Sequence, residues 1–279
     1  MTTRNPRAIR IASLLALLAA STHSSAQSPV PAPQATPSAP AKALPTVDEV
    51  FAHSVKAVGG ADLIAQQSSR TQHGAIEMPA QGLKGQIVTK SCSPDFLLVE
   101  TTIPGFGKIS QGMNKSVGWT IDPLRGPSLM TAEELAQVKR EASSESEINP
   151  GKGYDAVEVV AEVAFKGTTC YKVKFTKGKI DSFKYYAVDT GLLTGSEDTV
   201  ESSLGTMQVI SIYKDYGDFS GRKVAKVQEA TTMGQMQRVT VDSIDFSPVD
   251  PAVFALPAEI QALVTTQAVP PPPVKPATK

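Results

Sequence analysis

Cysteine occurs twice, tryptophan once and histidine three times in 279 residues, and each scarcity removes a class of protein. Cys92 and Cys170 are too few for a multiply bridged secreted scaffold or a cysteine-based zinc site. An oxidising compartment would permit a bridge between them, but Cys170 lies in "CYKVKF", where a thiol reads as a small buried hydrophobe. His23 falls in the N-terminal segment, and His53 and His73 stand alone, so no spacing offers paired imidazoles to a metal. Basic and acidic residues balance at 27 each. No basic stripe with interleaved aromatics stands out, which argues against nucleic acid as a partner. A polybasic membrane patch is equally missing. The Gly-x-Ser-x-Gly elbow, the phosphate loop and the dinucleotide fingerprint are absent too. "GFGKISQG" (Gly105–Gly112) is glycine-rich but strand-like and opens no helix. Glu158 and Glu162 share a strand face and read as solvated surface. No catalytic residue, metal site or cofactor is nominated, and a non-enzyme is expected.

Long apolar runs are lacking as well, with one short exception. Arg4, Arg7 and Arg10 precede the apolar core Ile11–Ala20, and Ser24-Ser25-Ala26 offers a small-residue cleavage site. The core is too short to span a bilayer, so residues 1–26 read as a secretory signal peptide. No cysteine follows to serve as a lipobox. Removing the segment takes away three arginines and no acid, leaving a small net negative charge. A soluble, monomeric periplasmic protein is expected, with no transmembrane segment after signal removal. Residues 27–45, rich in Pro and Ala, read as a disordered linker, and residues 264–279, with "VPPPPVKPATK", as a Pro-rich tail. One globular domain is left, over 46–263.

What is present is mostly period two. "TVDEVFAHSVKAVGG" is a capped amphipathic helix: Thr46 and Glu49 form a capping box, Val47, Val50, Phe51, Ser54, Val55 and Val58 share a face, and Gly59-Gly60 ends it. "ADLIAQQ" adds a short second helix. Strand patterns follow at "TQHGAIEM", "LKGQIVTK", "DFLLVETT", "GKISQGM" and "SVGWTI". "DPLRGPS" reads as a break in the sheet. A second capped helix follows from Thr131 and Glu134, and then a polar, mobile stretch, "SSESEINPGKGYD". Strands resume from "AVEVVAEVAF" to "MQRVTVDSIDF", and "DPAVFALPAEI" closes with a helical turn. Short turns between strands predict antiparallel pairing. The fold class is α+β, mainly antiparallel β: an incomplete, half-open barrel of about 11 strands, with helices covering its concave face.

One motif invites a catalytic reading. "AVDTGLL" (Ala187–Leu193) carries the Asp-Thr-Gly of aspartic proteases, which need two carboxylates sharing a proton. Here Leu192 follows the glycine where Ser or Thr is usual. The flanks are two strands, so Asp189 is expected to turn a corner.

"EMPAQGLKGQIVTK", "IPGFGKISQGMNKSVGWTIDP", "VDTGLL" and "DPAVFALPAEI", in this order after a signal segment and a capped helix, resemble the LolA/LolB-type carriers of bacterial outer-membrane lipoproteins. The resemblance covers most of 46–263. It implies an incomplete antiparallel barrel with helices as a lid, enclosing a site for acyl chains. The sequence departs from the family in two places. No arginine stands at Lys90-Ser91-Cys92-Ser93-Pro94, where the lipoprotein chaperone has one that helps control the lid. The acylation cysteine of the outer-membrane acceptor is also missing. The expected lining is Ile76, Met78, Leu98, Ile109 and Trp119 on strands, with Phe51, Val55, Leu135 and Val138 on helices. The helix Val47–Val58 is expected to gate it. Taken singly, each of these residues reads first as ordinary core. Two functions stay open: a carrier of lipids, acyl chains, lipoproteins or other hydrophobic ligands, and a non-catalytic module of the same fold that binds an envelope protein partner or senses envelope stress.

Overall fold

The computed structural model describes residues 43–202 and 205–268. The expected signal peptide, most of the linker and the end of the tail lie outside the described residues. The chain begins with α1 (Val47–Ala57) and α2 (Ala61–Gln66). Six strands follow: β1 (Ser69–Met78), β2 (Leu83–Cys92), β3 (Phe96–Ile103), β4 (Gly107–Asn114), β5 (Val117–Asp122) and β6 (Gly126–Leu129). After α3 (Ala132–Ala142) and α4 (Ser144–Ile148) come seven more: β7 (Ala156–Phe165), β8 (Thr168–Lys177), β9 (Ile180–Ala187), β10 (Leu193–Ser202), β11 (Gly205–Phe219), β12 (Arg222–Thr232) and β13 (Gln235–Asp245). A 3-10 turn, Pro251–Phe254, leads into α5 (Ala258–Ala268).

All 13 strands form one antiparallel sheet in the order β6-β5-β4-β3-β2-β1-β13-β12-β11-β10-β9-β8-β7. It consists of two meanders joined where β1 pairs with β13, for example Ile76 opposite Val239. The sheet does not close, because β6 and β7 are its free edges. The count exceeds the expected 11. One strand that no sequence pattern marked is β6, whose Gly126 and Pro127 suggested a break but which pairs Asp122 with Gly126 and Trp119 with Leu129. Pro is tolerated there because an edge strand leaves one row of N–H groups unpaired in any case.

This topology dictates where the helices go. The chain leaves the sheet at one edge, β6, and re-enters at the other, β7, so the connection must cross the inner face. It does so as α3 and α4. The segment expected to be mobile is thus partly helical: Ser143 Oγ accepts from Glu145 N at 3.2 Å and caps α4. Both predicted capping boxes form. Glu49 N donates to Thr46 Oγ1 at 3.2 Å and Thr46 N to Glu49 Oε2 at 2.8 Å. Thr131 and Glu134 repeat the pattern at 3.2 and 2.7 Å.

Two cores hold the helices to the inner face. At one end α1 places Val50 and Phe51 on Val173, Phe175 and Tyr186. At the other, α3 places Val138 and Leu135 on Leu97, Val99 and Met113. Not every helix covers the concave side. The Phe254 ring packs at a tilt on Phe96 with centroids 5.4 Å apart, and Asn114 Nδ2 donates to Phe254 O at 2.8 Å. Phe96 and Asn114 alternate with Leu97 and Met113, so α5 and the turn before it lie on the outer face. α5 continues through Ala268, past the boundary expected at 263.

Candidate functional site

Between the two cores the inner face is left uncovered by side chains and bounds a cavity of about 960 Å³. That volume is in the range of sites for drug-sized ligands. Its floor comes from β1–β3 and β9–β13. Its roof comes from α3 and α4, through residues such as Gln137, Arg140, Glu141, Ala142 and Glu147. Ile87, Leu97, Val99 and Val239 give the wall an apolar part.

The rest of the floor is polar, which the sequence reading did not anticipate. Neighbouring strands set Lys184 opposite Ser196, and Ser196 opposite Ser211. Asp198 and Tyr213 extend the row along the same face. Ser196 Oγ donates to Asp198 Oδ2 at 3.0 Å, and the Lys184 ammonium sits 4.7 Å from the Phe175 ring centroid. Burial lowers the pKa of Lys184, while Asp198 and Glu141 pull it back up. Burial, with Asp198 next in weight, pushes Tyr213 up to about 12, so its hydroxyl stays neutral at physiological pH. The signal for this row was available in sequence. Ser182, Lys184, Ser196, Asp198, Ser211 and Tyr213 all sit at alternate positions of their strands, but polar residues in a strand read by default as its solvent face.

α4 is tied to the floor by charge. Glu147 accepts from Arg222, and its other carboxylate oxygen lies 3.6 Å from Arg70 Nη1. Arg222 is 4% exposed. Burial is the largest influence on Arg70 and lowers its pKa, with Glu147 opposing it.

None of the nine residues expected to line the site is in the cavity wall. Phe51 is in the α1 core, with its ring centroid 5.9 Å from those of both Phe175 and Tyr186. Val55 is half-buried on the same helix. Leu135 and Val138 are used up in the contact of α3 with β3 and β4. Ile76 and Met78 do face inward, but they pack with Ile103 and Phe106 and plug one end of the sheet. Ile109, paired with Thr101, is buried on the inner face. Leu98 and Trp119 are on the wrong side. Both register with Gly112, one residue out of step with Leu97 and Met113. The Trp119 ring lies over Gly112 so closely that a Cβ there would be 2.4 Å from it.

Helix α1 is also not free to swing. Lys223 N donates to Val58 O at 3.2 Å, and Gln67 Nε2 donates to Ser220 O at 3.0 Å. A Cβ on Gly59 would be 3.0 Å from Gly221 O, so this glycine is packed against the β11–β12 turn. The gate assigned to Val47–Val58 is therefore corrected: α1 is a core helix, and the cavity's cover is α3–α4.

Asp189 occupies an exposed turn. Its Oδ1 accepts from Thr190 N at 2.8 Å, Gly191 N donates to Ala187 O at 2.8 Å, and Gly191 has φ +71°. Among the described residues no cluster of three His, Cys, Asp or Glu could hold a metal ion. Both cysteines are free thiols, and burial raises the pKa of Cys170. No helix of the described residues is long and apolar enough to cross a membrane.

This architecture aligns with solved structures over most of its length. A LolA superfamily protein from Nitrosomonas europaea aligns with a TM-score of 0.53 at 10% identity, over 76% of this chain and 99% of that one. The chain shares the fold of that protein. A DUF1329 family protein from Desulfovibrio piger aligns with a TM-score of 0.52 at 11% identity, over 75% of this chain and 97% of that one. No protein-family model and no curated protein matches the sequence.

Proposed function

We propose that this LolA-fold chain is a periplasmic carrier that binds a lipid or another ligand with an acyl chain, between the inner face of the sheet and the α3–α4 cover. The cavity of about 960 Å³ between two well-packed cores is the observation that supports this reading most. A sheet face with no function to perform would be filled at native packing density. Ligand burial against Ile87, Leu97, Val99 and Val239 would offset the loss of membrane contacts, about 0.8 kcal/mol for each methylene. The compartment follows from the basic, apolar and small-residue pattern of residues 1–26, and the mature chain begins near Gln27.

The test is saturable binding of a solvatochromic fatty-acid analogue to the wild-type protein and to Ala230→Phe. Ala230 lies on the cavity floor, 5% exposed, so a phenyl ring there projects into the space a ligand needs. Micromolar binding in the wild type, weakened at least tenfold by Ala230→Phe at an unchanged melting temperature, is expected. Absence of saturable binding in the wild type would end the carrier reading.

A further inference from the structure

Arg70 is a residue of the cavity wall whose guanidinium makes no hydrogen bond among the described residues. The nearest carboxylate oxygen, Glu147 Oε1, stands 3.6 Å from its Nη1, outside hydrogen-bond reach. Its Nε is buried without an acceptor. Glu147 cannot serve it fully, because Arg222, 4% exposed, holds the other carboxylate oxygen. Two guanidiniums thus share one carboxylate, which leaves a surplus of positive charge in a place where uncompensated charge is costly. The Arg70 side chain is still 24% exposed, which keeps donors within a ligand's reach.

The other charges of the wall do not compete for this role. Lys152 and Lys177 pair with Glu145 and Asp155 outside it. Glu134 is bound in the cap of α3, Glu141 accepts from Gln137, and Asp198 accepts from Ser196. Glu133 is exposed in the first turn of α3, where the helix dipole favours an acid. Lys184 lies in the field of two carboxylates, Asp198 and Glu141, which would repel an anion placed there. Arg140, in the roof, has no ion pair among the described residues and adds to the positive side.

Polar and apolar side chains are interleaved around Arg70, so a head group and a chain can bind in neighbouring rows. Arg70 is opposite Ser91 and Ser91 opposite Leu97, while Gln72 is opposite Thr89 and Thr89 opposite Val99. Two strand spacings, about 10 Å, therefore separate β1 from these side chains of β3. Val239 stands opposite Ile76, six residues or about 20 Å beyond Arg70 along β1, so an acyl chain that starts at Arg70 can reach it. A neutral head would leave the surplus charge unmet, and a cation would add to it. An oxyanion meets it, since paired oxygens match the fork of a guanidinium.

We infer that Arg70 anchors the head group of an anionic amphiphile, a carboxylate or a phosphodiester, whose chain lies along Ile87, Leu97, Val99 and Val239. The inference rests on the carrier reading and adds the class of ligand. Isothermal titration at mildly alkaline pH compares palmitate with 1-hexadecanol, and phosphatidylglycerol with a diacylglycerol of the same chains. In at least one pair the anion should bind more tightly by about tenfold, the least that a hydrogen bond to a charged group contributes. Arg70→Gln should erase that preference and leave the affinity of the neutral lipid unchanged. Arg222 still holds Glu147 in this variant, so α4 stays tied. Inorganic phosphate alone should compete weakly; competition as strong as that of the anionic lipid would mark a free-anion site and overturn the anchor. Equal affinities within both pairs, a preference that survives Arg70→Gln, or a variant that loses both members of a pair in proportion would overturn it too, and each leaves the carrier reading standing. If Arg70→Gln does not fold, the wild-type comparison decides. If no lipid binds, both readings fail together.

Discussion

Replacing Phe51 with alanine separates a core helix from a gate. The Phe51 side chain is 9% exposed and meets Phe175, which is fully buried, and Tyr186. Tyr154 reaches the same Phe175 ring from another side, at 4.9 Å, so the cluster has little room to collapse into a void. Truncating a phenylalanine in such a setting costs about 3–5 kcal/mol, of which the two lost ring contacts contribute about 0.5–1.5 kcal/mol each. With a urea dependence of about 2 kcal/mol per molar, the unfolding midpoint should fall by roughly 2 M. The ligand affinity of the protein still folded below the transition should change by less than threefold, since Phe51 is outside the cavity wall. Urea unfolding followed by circular dichroism gives the first quantity, and fluorescent fatty-acid titration the second. A midpoint shift under about 0.5 M together with a tenfold loss of affinity would refute the assignment and restore α1 as a lid.

Three further substitutions probe other parts of the account. Glu229 is pushed up by burial, but hydrogen bonds from Lys214 and Arg238 outweigh this and hold its carboxyl below the ordinary 4.5. The folded protein therefore binds fewer protons there than the unfolded chain, and the contribution is present above pH 4.5 and lost as pH falls through the lowered value. Glu229→Gln should cost about 1.5–3 kcal/mol at neutral pH, and the difference from wild type should shrink in acid; a pH-independent difference in denaturation midpoints would contradict it. Glu147→Ala strands the buried Arg222 guanidinium and should cost about 3 kcal/mol, with faster hydrogen exchange at Ser144–Ile148; unchanged exchange there would show that α4 needs no tie. Gly112→Ala drives a methyl into the Trp119 ring and should cost about 1–3 kcal/mol, with a shift in emission of the chain's single tryptophan; unaltered stability and emission would place Trp119 elsewhere.

The legible parts of the fold were those with strong local chemistry. Thr46 with Glu49 and Thr131 with Glu134 marked both long helices, and "AVDTGLL" marked the β9–β10 turn, because caps and turns depend on neighbours a few residues away. The lining was not legible for a physical reason visible in β3. "FLLV" (Phe96–Val99) is apolar at four consecutive positions, since α3 covers its inner face and the Phe254 turn its outer face. Without alternation, nothing in the sequence says whether Leu97 or Leu98 points inward, and an error of one residue reverses the face. Trp119 was misplaced for a different reason: Val117, Trp119 and Ile121 do alternate with Gly118, Thr120 and Asp122, but in β5 it is the apolar set that faces outward. The apolar stripe of α1 did predict burial, but a stripe cannot say whether it covers a cavity or a core. That depended on Phe175 and Tyr186, more than a hundred residues away. The polar floor was missed because Lys184, Ser196 and Ser211 follow the pattern of a solvated face, and only the long-range closure of β1 onto β13 turns that face inward.

The most direct measurement of where a ligand goes is photocrosslinking with a fatty acid carrying a diazirine at the chain terminus, followed by peptide mapping. The account predicts adducts on peptides containing Ile87, Leu97, Val99 or Val239, competed away by unlabelled lipid and reduced in Ala230→Phe. Adducts concentrated on the outer face, at Leu98 or Trp119, or on α1 at Phe51, would contradict it.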